Sequence, residues 1–317
     1  MFTRISVPTP FQVGRVNAYV AGRTVVDPGP DSEEAWAALL DGLEERGLNP
    51  ADIERVLVTH PHPDHFGLAS RLSEMGASVL ASPTAADIVG DFDGRLAYEQ
   101  DFFTDFFEQC GLSAETARTV TDLPDAFLAY APDVDVTREL DTGDTVTVDG
   151  TQLTVDSVVG HAPGEIIFAF EADGDRRALV GDNVLGHITP NPLLQPPAKP
   201  GGERPHVVPA YNDSLTRLRE EGYDQFLPGH GDRIDDPVGR IDEILDAHEE
   251  RTATVYDLVD GPTAPADVMQ GLFGDLPVTE QFSGMSEAVG HLDVLEERGK
   301  VRQRTSGDVI VYERTEA

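Results

Sequence analysis

His60-Pro61-His62-Pro63-Asp64-His65 places three imidazoles and a carboxylate within six residues. Imidazole nitrogen and carboxylate oxygen are ligands suited to zinc or iron. The motif follows residues 55–58, a short apolar run that reads as a buried strand, and a loop at a strand end can turn several side chains toward one point. Pro61 and Pro63 stiffen that loop and so reduce the entropy lost when its ligands are ordered. A merely solvated polar loop does not account for this density of histidine, and the stretch reads as a metal site.

Further ligands are expected at other strand ends. His161, in Gly160-His161-Ala162-Pro163-Gly164, follows a strand predicted over 152–159. Asp182, in Gly181-Asp182-Asn183, follows the apolar run 178–180, and His230, in Pro228-Gly229-His230-Gly231, follows 225–227. Singly each is weak, because strand-end His and Asp often serve in turns or caps. Their recurrence at one topological place, each beside glycine, carries the reading. Asp27 ends a strand and fits a turn aspartate as well as a hydrogen bond to the ligand loop. His187 and His206 flank a Pro/Gly-rich loop, where substrate contact and plain surface location both stay open. His248 and His291 lie on predicted C-terminal helices and read as structural. Neither a nucleophile elbow nor a phosphate-binding P-loop occurs.

Taken together, these segments resemble the metallo-β-lactamase-fold hydrolases, over about residues 10–235. All of that family's ligand positions are matched here without substitution. The resemblance implies an α/β (α+β) chain folded as a four-layer αββα sandwich. It implies two divalent metal ions, zinc in first place with iron or manganese as alternatives. His60, His62 and His161 would hold one ion, Asp64, His65 and His230 the other, and Asp182 would bridge them. Metal-bound hydroxide would then be the nucleophile, held and oriented by the catalytic carboxylates Asp64 and Asp182. Gly181-Asp182-Asn183-Val184-Leu185, Ile188-Thr189-Pro190-Asn191 and Pro228-Gly229-His230-Gly231, followed by a predicted winged helix, are similar to the lactamase-beta-2-like, glyoxalase-II-like subgroup. Asn183 departs from the His common among relatives.

The rest of the chain fits two domains, a catalytic one over 1–236 and a winged-helix-like one over 237–317. Strands are expected at 16–20 and 24–26, followed by a helix capped by Asp31 or Ser32 with Gly47 at its end. A further helix at 68–75 and a strand at 78–81 make a βαβ-like first half. Residues 91–132 read as helical, and their Phe102, Phe103, Phe106 and Phe107 as core more than ligand pocket, in a segment expected to cover a cleft. A second strand-rich half covers 145–180, with a helix from Asn212 or Asp213. Helices at 239–259, 265–273 and 285–298 precede strands at 301–304 and 309–312.

Composition frames the setting. The 58 Asp and Glu against 23 Lys and Arg give a formal net charge of −35. At low salt such charge repels itself and opposes compaction, whereas molar salt shortens the Debye length to about 3 Å and screens it. The acidic, lysine-poor pattern is similar to that of cytosolic proteins from salt-accumulating halophiles. A single cysteine, Cys110, excludes an internal disulfide and fits a reducing compartment. With no long apolar run and no apolar leader at its start, the chain is expected to be cytoplasmic and without a membrane partner.

A small ester, thioester or lactone-like substrate is the first expectation for function. Single-stranded RNA is the alternative, an endoribonuclease reading suggested by the winged helix and by Arg298, Lys300, Arg302 and Arg304 near its wing. Acidic residues on the presumed recognition helix (Glu287, Asp293, Glu296, Glu297) oppose that reading, and a dimerisation or lid role, hence a homodimer, is preferred. An iron-dependent persulfide dioxygenase ranks below these, because a one-metal enzyme needs no second ligand group.

Overall fold

The computed structural model describes residues 2–315, apart from the side chains at 123–125. By internal contacts the chain forms two compact units, one of residues 1–93, 126–190 and 216–241, the other of 94–125, 191–215 and 242–317.

Two sheets build the first unit. One runs, in spatial order, β1 (Thr3–Val7), β2 (Val16–Ala21), β3 (Thr24–Val26), β4 (Arg55–Leu57), β5 (Ser78–Ala81) and β6 (Arg138–Glu139). β1 to β3 are antiparallel and β3 to β6 parallel. β2 and β3 are buried at every position, which is why they read as continuous apolar runs rather than alternating ones. The second sheet comprises β7 (Thr145–Val148), β8 (Thr151–Ser157), β9 (Ile166–Ala172), β10 (Asp175–Gly181) and β11 (Gln225–Pro228), in sequential order, antiparallel except for the β10–β11 pair.

The sheets face one another through a shared apolar layer that includes Tyr19, Val26, Leu57 and Leu80 from the first and Val146, Val155, Phe168 and Leu179 from the second. On the far side of the first sheet lie α1 (Glu33–Glu44), α2 (Pro63–Phe66), α3 (Ala69–Glu74) and α4 (Pro83–Val89). Leu39, Leu43, Phe66, Leu72 and Val89 from these helices pack against Val7, Val25, Val56 and Val79. Ser32 caps α1, its hydroxyl accepting from the Ala35 amide. This is a mixed α/β sandwich with the strand ends free to carry ligands.

The second unit contains α5 (Phe92–Gln109, from residue 94 on), α6 (Ala114–Asp122), the first part of α7 (Val207–Glu220), α8 (Pro237–Leu258, from 242 on), α9 (Pro265–Phe273), α10 (Val278–Glu297) and the antiparallel hairpin β12 (Val301–Ser306) and β13 (Val309–Arg314). Phe103 and Phe107 are buried in a core with Val255, Met285, Leu292 and Tyr312, so the phenylalanine cluster serves packing. His248 and His291 are buried as well. His248 shares a 2.7 Å hydrogen bond through Nδ1 with Asn212 Oδ1, and His291 a 2.8 Å bond through Nδ1 with Thr252 Oγ1.

Three elements differ from the sequence reading. Asp64 and His65 stand on the short helix α2 rather than in a loop, because Pro63 occupies its first turn, where a missing amide hydrogen costs nothing. α7 starts at Val207 rather than at Asn212 or Asp213, since Pro209 falls in the first turn and does not interrupt it. α10 begins at Val278 rather than Met285. Among the described residues no helix is long and apolar enough to cross a membrane.

Candidate metal centre

The first unit brings all the expected ligand residues together. His60 and His62 leave the end of β4, Asp64 and His65 follow on α2, and Asp182 and His230 stand just past β10 and β11. His161 lies between β8 and β9. His60, His62 and His161 can bring one ligand atom each within 4.8 Å of one another, and so can Asp64, His65 and His230. His62 Nδ1 and His161 Nε2 are 2.9 Å apart. Asp182 Oδ2 sits at the centre, 3.6 Å from His65 Nε2, 3.6 Å from His161 Nε2 and 3.4 Å from His230 Nε2. His230 Nε2 is also 3.3 Å from Asp64 Oδ2.

Hydrogen bonding fixes the face that each ring presents. The Thr59 hydroxyl donates to Asp27 Oδ2 at 2.7 Å, so its oxygen is left to accept from His60 Nδ1 at 3.0 Å. His65 Nδ1 donates to Asp27 Oδ2 at 3.0 Å, and His230 Nδ1 to the Arg15 carbonyl at 2.9 Å. In each ring Nδ1 is engaged, and Nε2 is the atom left to face a ligand. The Nε2 atoms of His60, His65 and His230, with Asp182 Oδ1, are buried and make no hydrogen bond. A buried polar atom without a partner costs about 1–3 kcal/mol, and these converge on one place. The 3.3–3.6 Å separations of the His65, His161 and His230 Nε2 atoms from Asp182 Oδ2 and Asp64 Oδ2 exceed charge-assisted hydrogen bonds but match the roughly 3.3 Å between ligand atoms of a tetrahedral ion bound at about 2.0–2.1 Å. The residues present fit divalent metal.

Asp27 is the instructive neighbour. It could form a third group with His60 and His65, but Oδ1 accepts from the Thr59 amide at 2.9 Å and Oδ2 from both Thr59 Oγ1 and His65 Nδ1. Both oxygens are committed to orienting ligands. Its backbone φ of 50° also makes it a turn residue, one of the few types that tolerate this region, so it fills both of the roles its sequence position allows.

Protonation favours ligation at His60, His62 and His161. Burial and the neighbouring rings hold His60 well below the usual histidine range. Burial, with His161 beside it, lowers His62 to about 3. Burial lowers His161 too, against the pull of Asp182. These imidazoles are neutral, with lone pairs available, near pH 7. For His65 and His230 burial alone would lower the pKa, but Asp182 and Asp64 outweigh it and raise both. Burial would raise Asp64 and Asp182, yet His65 and His230 bring both below the carboxylate range.

Two glycines are required by close approach. A Cβ on Gly229 would lie 2.3 Å from Asp182 Oδ1 and 2.6 Å from His65 Cε1. One on Gly181, whose φ is +50°, would lie 2.6 Å from Thr59 Oγ1. This is why the strand-end ligands stand beside glycine.

Several supporting residues escaped the sequence reading. Asn17 Nδ2 donates to the carbonyls of Pro228 and Gly231, both at 2.9 Å, and the Tyr19 hydroxyl to Pro228 O at 2.8 Å. Both hold the turn that carries His230, and their signal was a polar residue at alternate positions of an apolar strand. Glu165 is buried and bonded to Asn183 Nδ2 at 2.9 Å; burial raises its pKa to about 8. Of the flanking histidines, His187 lies against Gly231. His206 pairs through Nδ1 with Glu297 Oε1 at 2.9 Å and joins no ligand group.

Comparison with known proteins decides the kinship. The family model of the metallo-beta-lactamase superfamily matches residues 12–230. The chain belongs to the metallo-beta-lactamase superfamily. The match spans every candidate ligand position, and the chain is a hydrolase of that superfamily. A Bacillus subtilis (strain 168) relative named "Probable metallo-hydrolase YqjP" is 30% identical over 97% of this chain and 96% of its own length. A Drosophila melanogaster relative, "Beta-lactamase-like protein 2 homolog", is 23% identical over 98% of this chain and 92% of its own. Among solved structures, a metallo-beta-lactamase family protein from Thermus thermophilus is similar over 99% of this chain and 98% of that one, with 26% identity and a TM-score of 0.79. A beta-lactamase domain protein from Burkholderia ambifaria gives 26% identity and a TM-score of 0.80 over 99% of this chain and 91% of that one.

Proposed function

We propose that this metallo-beta-lactamase superfamily member is a dinuclear metal-dependent hydrolase acting on a small ester, thioester or lactone-like substrate. The observation that carries the metal reading is the pair of buried, unpartnered Nε2 atoms of His65 and His230, on rings whose Nδ1 atoms are already tethered, facing Asp182. His60, His62 and His161 would hold one ion, Asp64, His65 and His230 the other, and Asp182 both; the mixed nitrogen and oxygen donors suit zinc. When bound, divalent ions would supply an acidified water and, by binding the carbonyl oxygen of the substrate, make its carbon more electrophilic. Asp64 and Asp182, both with lowered pKa, stay ionised and can only accept hydrogen bonds, so they orient a water rather than protonate a leaving group. Asp27, Thr59 and the Arg15 carbonyl keep the rings in the tautomer that faces the ions.

The helices α8 to α10 with the β12–β13 hairpin support a winged-helix reading of the C-terminal segment 237–317, and with it kinship to the lactamase-beta-2-like subgroup. Its arginines favour a small substrate and a dimerisation role over RNA. Arg298 pairs with both carboxylate oxygens of Glu249 at 3.0 and 2.7 Å, and Arg302 and Arg304 share Glu313 at 3.1 and 3.2 Å. Cations already paired with internal carboxylates give up that pairing before they contact phosphate. A salt-rich cytoplasm is the setting in which a net charge of −35 is best tolerated.

A panel of thioesters, lactones, phosphodiesters and single-stranded RNA in molar KCl tests the reading. Turnover of a thioester or lactone, lost in folded His60→Ala and Asp182→Ala, is the expected result. Cleavage of RNA alone would replace the substrate assignment, and activity retained by either variant would refute the site.

A further inference from the structure

The ligand histidines are not supported alike. His60, His65 and His230 are each anchored through Nδ1, to Thr59, Asp27 and the Arg15 carbonyl. His161 is not: its Nδ1 is buried with no hydrogen-bond partner. Its Nε2 meets only His62 Nδ1, at 2.9 Å, so from behind that ring is held by the backbone of its own loop, residues 160–164. One end of this loop is fixed where the Ser82 hydroxyl, which also caps α4, donates to the Gly164 carbonyl.

Glu165 fixes the rest. Its Oε2 accepts from Asn183 Nδ2 at 2.9 Å. Asn183 Nδ2 also donates to the Val159 carbonyl at 3.2 Å, just ahead of the loop, and Asn183 directly follows Asp182. One side chain thus ties the loop carrying His161 to the turn carrying Asp182. An ionisable side chain that is only 1% exposed is expensive to bury, and an apolar residue would continue the β9 run Ile166, Ile167, Phe168 more simply. The cost is explained if the hydrogen bonds are what the position is for.

We propose that Glu165, acting through Asn183, is a positioning residue for the ion held by His60, His62 and His161, and that the ion at Asp64, His65 and His230 is held independently of it. The proposal rests on the dinuclear reading above. Glu165 touches neither ion nor substrate; it sets where the loop carrying His161 stands.

The test is a titration of apoprotein with Co²⁺ in molar KCl, following visible absorption and competition with a chelator, and with thermal melting as a fold control. The proteins are wild type, Glu165→Leu, Asn183→Ala and His161→Ala. Wild type is expected to bind two ions. Glu165→Leu and Asn183→Ala should bind one within threefold of the wild-type affinity and the other at least tenfold more weakly, the remaining spectrum matching that of His161→Ala. Two unaltered affinities, or two affinities weakened alike, would overturn the proposal. Wild type binding a single ion would instead refute the dinuclear reading, and Glu165's role with it. Asn183→Ala keeps the question answerable if Glu165→Leu fails to fold.

Discussion

Replacing Asp27 by Asn tests how the site controls its own tautomers. The substitution keeps size, and Asn tolerates the left-handed φ of 50° found there. Oδ1 can still accept from the Thr59 amide at 2.9 Å. At the other position an NH₂ group replaces the oxygen that accepts from Thr59 Oγ1 and His65 Nδ1. A donor now faces a donor, and the His65 ring relieves this by moving its proton from Nδ1 to Nε2, the atom that faces Asp182 and Asp64 at 3.6 and 4.0 Å. Ligation through Nε2 then requires the proton to leave at the expense of the hydrogen bond. Loss of such a supporting carboxylate typically weakens metal binding about 10–100-fold, which is about 1.4–2.8 kcal/mol. Asp27→Ala should add about 1–3 kcal/mol of destabilisation for each buried donor it strands. Chelator competition on apoprotein reads the affinity, and thermal melting of the same samples reads the fold. Wild-type affinity in a folded Asp27→Asn protein would refute the argument that Asp27 sets the His65 tautomer.

Other outcomes follow from the same geometry. Gly229→Ala puts a methyl 2.3 Å from Asp182 Oδ1, so metal content measured by elemental analysis should fall while circular dichroism stays native; full metal content would show the contact to be relieved at no cost. His248 is held down to about 4 by burial and by His291, against about 6.5 when unfolded. The unfolded chain therefore takes up a proton first, and stability present above pH 6.5 drains as pH falls toward 4, by about 3 kcal/mol at most; urea titrations should show a shallower loss in His248→Gln, and identical slopes would contradict this. Raising KCl from 0.1 to 2 M should raise Tm by screening a net charge of −35, and a flat or falling Tm would count against self-repulsion.

Much of this could be read from the chain because ligands and glycines cluster at strand ends. Gly181 and Gly229 mark where backbone must pass within van der Waals contact of a ligand, and His60 to His65 announce the site outright. β2, β3 and α9 were legible because their apolar runs and proline starts are local signals. Asp27 was legible only as an ambiguity that geometry resolved into both alternatives. Glu165 was not legible, because a carboxylate after Gly164 and before an apolar strand looks like an exposed turn residue, and only its partners explain its burial. β6, two exposed residues, carries no apolar pattern at all. The grouping of residues 94–125 and 191–215 with the C-terminal helices arises from contacts far apart in sequence, which no local periodicity reports.

The central claim is that His60, His62, His161, Asp64, His65, His230 and Asp182 form one centre for two ions. Elemental analysis of protein purified in high salt, with each ligand replaced by Ala in turn, tests it most directly. The account predicts close to two divalent ions per chain in wild type and a loss in every folded variant. A single iron per chain, or a metal content indifferent to Asp64, His65 and His230, would contradict it.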